Sequence, residues 1–217
     1  MPRSAPRSTM PLGVRRTPPG QSRFNPMTNL NALPADLPRP ADDGACDHLV
    51  GMAMPRLALA SSAGRTVDLA ELPPGRTLIY CYPMTGIPGQ PLPDGWDFMP
   101  GARGCTPQAC AFGDHYRELV ALGANVFGLS TQTTEYQREM AGRLHLSFEI
   151  LSDVNLRFAT ALRLPTFEID GMRLIKRLTL IAQNGAIEHV FYPVFPPDKS
   201  ASEVVGWLGG PSEQPGA

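Results

Sequence analysis

Apolar positions along the chain gather first into a near-continuous run, "RTLIYCYP" (76–83). It is rich in strand formers and closed by proline, which predicts a buried central strand. "NVFGLST" (125–131) predicts the next strand and residues 148–151 a short one. Between the first two, the spacing turns helical. Phe112, Tyr116, Leu119 and Val120 fall at i, i+4, i+7 and i+8, one apolar stripe on a helix from about Pro107 to Leu122. "TEYQREMAGRLH" (134–145) predicts a second amphipathic helix, and residues 155–162 a third. In "IKRLTLIAQNGAIEHVFYP" (175–193), Asn184-Gly185 stands between two apolar runs, a strong hairpin signal. "SASEVVGWL" (200–208) predicts a closing helix with a serine N-cap. A short strand is expected at 55–60, and "GRTVDLAEL" (64–72) reads as a turn and a short helix. Strands alternating with helices, then a hairpin and a last helix, predict an α/β fold with a mixed central sheet flanked by helices.

The pattern lapses in two places. Residues 1–50 are rich in Pro, Ala, Asp and Arg without sustained periodicity, so a disordered or irregular tail is expected there, with one domain over 51–210. Residues 84–104 form a long loop full of proline and glycine, and loops of that length in small domains tend to be functional.

Composition narrows the classes. The chain has 217 residues, 42% hydrophobic and 18% charged, enough for one domain whose core needs no cysteine staples. A net charge of −1 gives no electrostatic case for nucleic acid or an anionic membrane. The first 26 residues differ, with five arginines, six prolines and no acidic residue. No apolar stretch follows Arg15-Arg16, so neither a secretory nor a twin-arginine signal is expected. Without an export signal, Cys46, Cys81, Cys105 and Cys110 point to a reducing compartment, and the cytoplasm is expected.

Candidate chemistry lies in "PGARGCTPQACAFGDHYREL" (100–119). Pro107 sits where a helix tolerates proline, in its first turn, so Cys105 falls at a helix N-terminus with Cys110 one and a half turns on. A helix N-terminus and a nearby cation both favour thiolate, the nucleophilic form; Arg103 or a more distant arginine is the candidate cation. A second thiol close by is what an oxidised thiol needs to form a reversible disulfide. Two buried cysteines acting as small apolar residues fit the same spacing. Zinc does not fit, because the spacing is C-x4-C, no second pair exists, and His48, His115, His145 and His189 are scattered. Cys81 falls mid-strand and reads as core, and Cys46 reads as a bystander. Trp96, in the long loop, is expected to pack there. A reactive cysteine starting the helix after the central strand is similar to the thioredoxin-like arrangement.

"IYCYP…GCTPQACAF", "VFGLST", "FEILSD" and "KRLTLIAQNGAIEHVFYPV" resemble a peroxiredoxin of the bacterioferritin-comigratory, or Q-type, group over roughly residues 50–208. That resemblance implies a thioredoxin-like fold and a thiol peroxidase acting on hydrogen peroxide or organic hydroperoxides. It makes Cys105 the peroxidatic cysteine and Cys110 its resolving partner. Arg177 would pair with the thiolate and the peroxide oxygen, and Gln108 would hold that arginine. Electrons would come from thioredoxin or a similar dithiol protein, with no metal, haem or flavin, in a monomer or homodimer. One departure stands out. The family reads Pro-x-x-x-Thr-x-x-Cys, whereas those offsets hold Phe98 and Ala102 here, leaving Pro100 for the proline and Thr85 or Thr106 for the hydroxyl. A thioredoxin-like disulfide oxidoreductase, which lacks its C-x-x-C here, and a non-catalytic redox-sensing domain are the alternatives.

Overall fold

The computed structural model describes residues 29–210, so the tail expected over residues 1–26 lies outside the described residues. In chain order come β1 (Ala58–Ser61), β2 (Thr66–Asp68), β3 (Arg76–Cys81), α1 (Cys105–Asp114), α2 (Tyr116–Ala121), β4 (Ala124–Ser130), α3 (Thr134–Arg143) and β5 (Glu149–Ser152). There follow α4 (Arg157–Ala161), β6 (Thr166–Ile169), β7 (Met172–Ile175), β8 (Leu178–Gln183), β9 (Ala186–Phe191) and α5 (Ser200–Gly209). Seven strands form one sheet in the order β2-β1-β5-β4-β3-β8-β9, and β6 and β7 form a separate hairpin. The three central strands β5, β4 and β3 are parallel, whereas β8, β9, β1 and β2 join antiparallel. The mixed α/β sheet expected from the pattern is present.

Side-chain alternation on β3 divides the interior into two layers. Ile79 and Cys81 face a core shared with Cys46, Leu49, Leu129, Leu151 and Phe158 of α4. Leu78, Tyr80 and Tyr82 face the opposite core, with Cys105, Ala109 and Phe112 of α1, Met140 of α3 and Val204 of α5. Tyr80 stacks on Phe112, ring centroids 4.3 Å apart, and so ties α1 to the centre of the sheet. The neighbouring strand makes room for that ring with Gly128, paired to Tyr80 in register. A Cβ on Gly128 would lie 2.8 Å from Tyr80 Oη and 2.6 Å from Ile150 Cδ1.

Four expectations from the pattern change. "GRTVDLAEL" holds a strand, β2, because Val67 is buried between two exposed neighbours and pairs with Leu59; no helix forms there. The helix over 107–122 is two helices broken at His115, where ψ is 1°, after the weak helix formers Gly113 and Asp114. Val120 is consequently off the apolar stripe and 49% exposed. The hairpin β6–β7 goes unread in the pattern because its strands are short and half-exposed, although Asp170 (φ 50°) and Gly171 (φ 72°) form the same positive-φ turn as Asn184 and Gly185. Ser200 is the first residue of α5 and not its cap; Lys199 holds that place, with no side-chain cap.

Candidate active site

Strand register places the arginine. Cys81 pairs with Leu178, so Arg177 falls beside Tyr82 at the C-terminal end of β3, where the chain leaves for the long loop. The loop returns to the same end, and Gly104 (φ +95°) turns the backbone into α1. A side chain at Gly104 would strike Pro197 and lie 2.8 Å from Leu33 Cδ2. Glycine is required there by both backbone and space.

Cys105, the first residue of α1, is 3% exposed. Its thiol donates to the Ala102 carbonyl at 3.4 Å and accepts from Arg177 Nη2 at 3.2 Å. The same Nη2 donates to the carbonyls of Gly101, Ala102 and Arg103 at 3.2, 3.3 and 2.9 Å, so the arginine also fixes the loop backbone leading to the cysteine. Nη1 donates to Gln108 Oε1, and Gln108 Nε2 donates to Ser200 Oγ at 3.4 Å. Arg177 Nε is buried and has no partner among the described residues, which leaves one donor for a bound oxygen. The cation at the sulfur is thus the distant arginine. Arg103 instead pairs with Asp97 at 3.3 Å.

Cys110 lies in the same helix, half-buried, and its thiol is pushed up by burial and by the Asp114 carboxylate. Cys81 sits fully buried mid-strand, where desolvation holds its thiol well above the ordinary value. Cys46 is buried in the same core, across the sheet from Cys105. Desolvation first, then the carboxylates of Asp43, Asp42 and Asp47, raise it to about 12. Trp96 packs against Phe167, centroids 6.3 Å apart, and also lines the small cavity at Cys105.

At the family offsets, Phe98 is 84% exposed and Ala102 carries no hydroxyl. Thr85 and Thr106 both line the cavity at Cys105. Thr85 Oγ1 donates to Gln132 Oε1 at 3.1 Å, while Gln132 Nε2 and Tyr136 Oη both donate to the Thr85 carbonyl. Pro100 lines a different cavity, with Arg177, Met99, Phe167 and Tyr192. Pattern reading missed Ser200, Gln132, Leu30 and Leu33 at this site. The leucine spacing among the prolines of residues 30–40 was the available signal for the last two.

The family described as Redoxin matches residues 49–206. The chain belongs to the Redoxin family. Within it, the chain is 27% identical over 158 residues to "Peroxiredoxin Q, chloroplastic" of Sedum lineare, covering 73% of this chain and 76% of that protein. It is 24% identical over 210 residues to the wheat (Triticum aestivum) protein of the same name, covering 90% and 89%. Against "Putative peroxiredoxin Q, chloroplastic" of Oryza sativa subsp. indica, identity is 26%, and the alignment spans 71% of this chain but only 64% of the rice protein. Among solved structures, peroxidoxin BcpB of Mycobacterium tuberculosis superimposes with a TM-score of 0.60 at 22% identity, covering 74% and 97% of the two chains. A Xylella fastidiosa PrxQ mutant gives 0.60 at 17%, covering 74% and 96%. The thioredoxin-like fold of these structures accounts for the mixed sheet flanked by helices.

Proposed function

We propose that this protein is a thiol-dependent peroxidase with Cys105 as its peroxidatic residue. The contact between Arg177 Nη2 and Cys105 Sγ carries that reading, because it sets a guanidinium donor against a sulfur at a helix start, where negative charge on the reacting atoms is stabilised. The thiolate attacks one oxygen of a hydroperoxide, the O–O bond breaks, and the displaced alkoxide or hydroxide takes a proton. Arg177 stabilises charge on the departing oxygen, and Gln108 with Ser200 keeps the arginine in place. The sulfur is now sulfenic acid. Cys110 attacks it, water leaves, and an intramolecular disulfide remains.

A dithiol protein of the thioredoxin type then exchanges with that disulfide and returns both cysteines to thiols. No cofactor enters the cycle. No described helix is long and apolar enough to cross a membrane. The cycle needs a reducing compartment, and we assign it to the cytoplasm; the plant relatives are named as chloroplastic proteins. A monomer or homodimer suffices, since every residue invoked belongs to one chain. Purified protein should consume hydrogen peroxide in the presence of thioredoxin, its reductase and NADPH. Consumption of disulfide substrates without peroxide turnover would support a disulfide oxidoreductase instead.

A further inference from the structure

Residues 30–43 precede the stretch that the Redoxin family matches, which begins at residue 49. They contain no helix or strand, yet Leu30, Leu33, Leu37 and Pro40 are each partly buried. The two leading leucines lie on glycines. A Cβ on Gly86 would lie 3.0 Å from Leu30 Cδ2, and one on Gly104 2.8 Å from Leu33 Cδ2. Gly86, Gly104 and Leu30 line the cavity that ends at Cys105, whose volume is about 10 Å³. A single water needs about 10–15 Å³, so a hydroperoxide does not fit in this cavity until some part of its wall moves.

The wall parts are unequally held. Thr85 is fastened by Gln132 and Tyr136, and α1 by its own hydrogen bonds, Tyr80 and Arg177. Residues 30–42, by contrast, make no backbone hydrogen bond to any other segment among the described residues. Their far end is tethered at Asp43, which accepts from Lys176 Nζ and from Tyr192 Oη, both at 2.7 Å. Gly44 (φ +67°) follows as a turn. Pro40 rests beside Gly101, and the Arg39 guanidinium sits 5.1 Å over the Phe195 ring. Among the described residues, the part of this wall held by a few apolar contacts and one tether is the part that opens at least cost.

We infer that residues 30–42 form a lid hinged at Asp43-Gly44, and that Leu30 and Leu33 select by size which hydroperoxides reach Cys105. The inference rests on Cys105 being the peroxidatic residue. Small molecules enter on slight displacement of the two leucines; bulky ones need the lid lifted.

The test uses the full chain, Leu30→Ala/Leu33→Ala, and a form lacking residues 1–42, each shown by thermal melting to be folded. Cys105 modification is followed by peptide mass mapping with methyl methanethiosulfonate as the small reagent and N-phenylmaleimide as the bulky one. Both altered forms should gain about tenfold or more with the bulky reagent and much less with the small one, as expected for a relieved gate. The ratio of kcat/KM for cumene hydroperoxide over hydrogen peroxide should rise in parallel. Modification of Cys105 at the full-chain rate in both altered forms, or equal gains with both reagents, overturns the lid. A selective gain in modification without peroxide turnover in any form keeps the lid and removes the peroxidase reading.

Discussion

Arg177 Nη2 lies 3.2 Å from Cys105 Sγ across 72 residues of sequence. The same nitrogen holds the three carbonyls that precede the cysteine, so one side chain both shapes the loop and faces the sulfur. Arg177→Ala should therefore slow iodoacetamide modification of Cys105 at neutral pH and lower kcat/KM for peroxide by about 100-fold or more, the scale of losing one oriented donor at a developing charge. Arg177→Lys should rescue only part, because an ammonium cannot satisfy Gln108, the loop carbonyls and the sulfur together. Unchanged modification and turnover in Arg177→Ala would show that the arginine serves the loop alone.

Gln108 is the arginine's fixed point, fully buried and bonded onward to Ser200. Gln108→Leu keeps the volume and removes the acceptor. Its expected effect is a loss of peroxide kcat/KM of about tenfold or more and a melting temperature a few degrees lower, since a hydrogen bond to a charged group contributes about 1.5–3 kcal/mol. Turnover equal to the parent protein would place Gln108 outside the machinery.

Cys105 and Cys110 both lie in α1, and five helical residues separate their Cα atoms by roughly 8.7 Å. A disulfide needs about 7 Å or less, so α1 must unwind from its first turn before the pair can close. Gly104 and Pro107 make that turn the one that yields. Amide exchange across residues 104–116 should be faster in the disulfide form than in the reduced form. Cys110→Ser should accumulate sulfinic acid at Cys105 under excess peroxide. Equal protection in both forms would mean that Cys110 is not the partner.

How far the amino-acid pattern foretold the site depends on the range of the forces involved. The cysteine at a helix start follows from local signals, Pro107 and the apolar spacing behind it. The arginine's approach depends on β8 pairing with β3, a contact no local signal fixes; the likeness to peroxiredoxins singled out Arg177 and Gln108, and the structure brings both to Cys105. The break at His115 escaped because the helical spacing of apolar residues in the sequence runs straight across it, while the weak helix formers beside it carry little signal. Leu30 and Leu33 escaped for a different reason: they bury themselves on glycines without forming an element, so a reading of helices and strands passes over them.

The edge strand offers a pH test. His189 on β9 is half-buried, stacked 4.7 Å from Trp207, and burial lowers its pKa from 6.5 despite the Glu188 carboxylate. A lowered folded pKa means that the unfolded chain binds the proton first. Its contribution to stability is thus complete above about 6.5 and declines as pH falls below that value. Melting temperature should drop between about pH 7.5 and 5.5, and His189→Phe should flatten that drop. An unchanged slope in the variant would assign it to other groups.

Gly128 tests the packing that seats α1. Adding one methyl forces it against Ile150 Cδ1 and Tyr80 Oη, and overpacking of this kind costs about 1–3 kcal/mol. Gly128→Ala should melt several degrees lower and, because Tyr80 carries Phe112, should loosen α1 enough to slow peroxide turnover.

The central claim is that Cys105 takes the oxygen. One equivalent of hydrogen peroxide is added to fully reduced protein, and oxidation at each cysteine is mapped by mass spectrometry in the parent chain and in Cys105→Ser. The account predicts a single Cys105–Cys110 disulfide in the parent and no peroxide-dependent oxidation in the variant on the same timescale. Peroxide consumed at the parent rate by Cys105→Ser, or first oxidation appearing at Cys110 or Cys46, would contradict it.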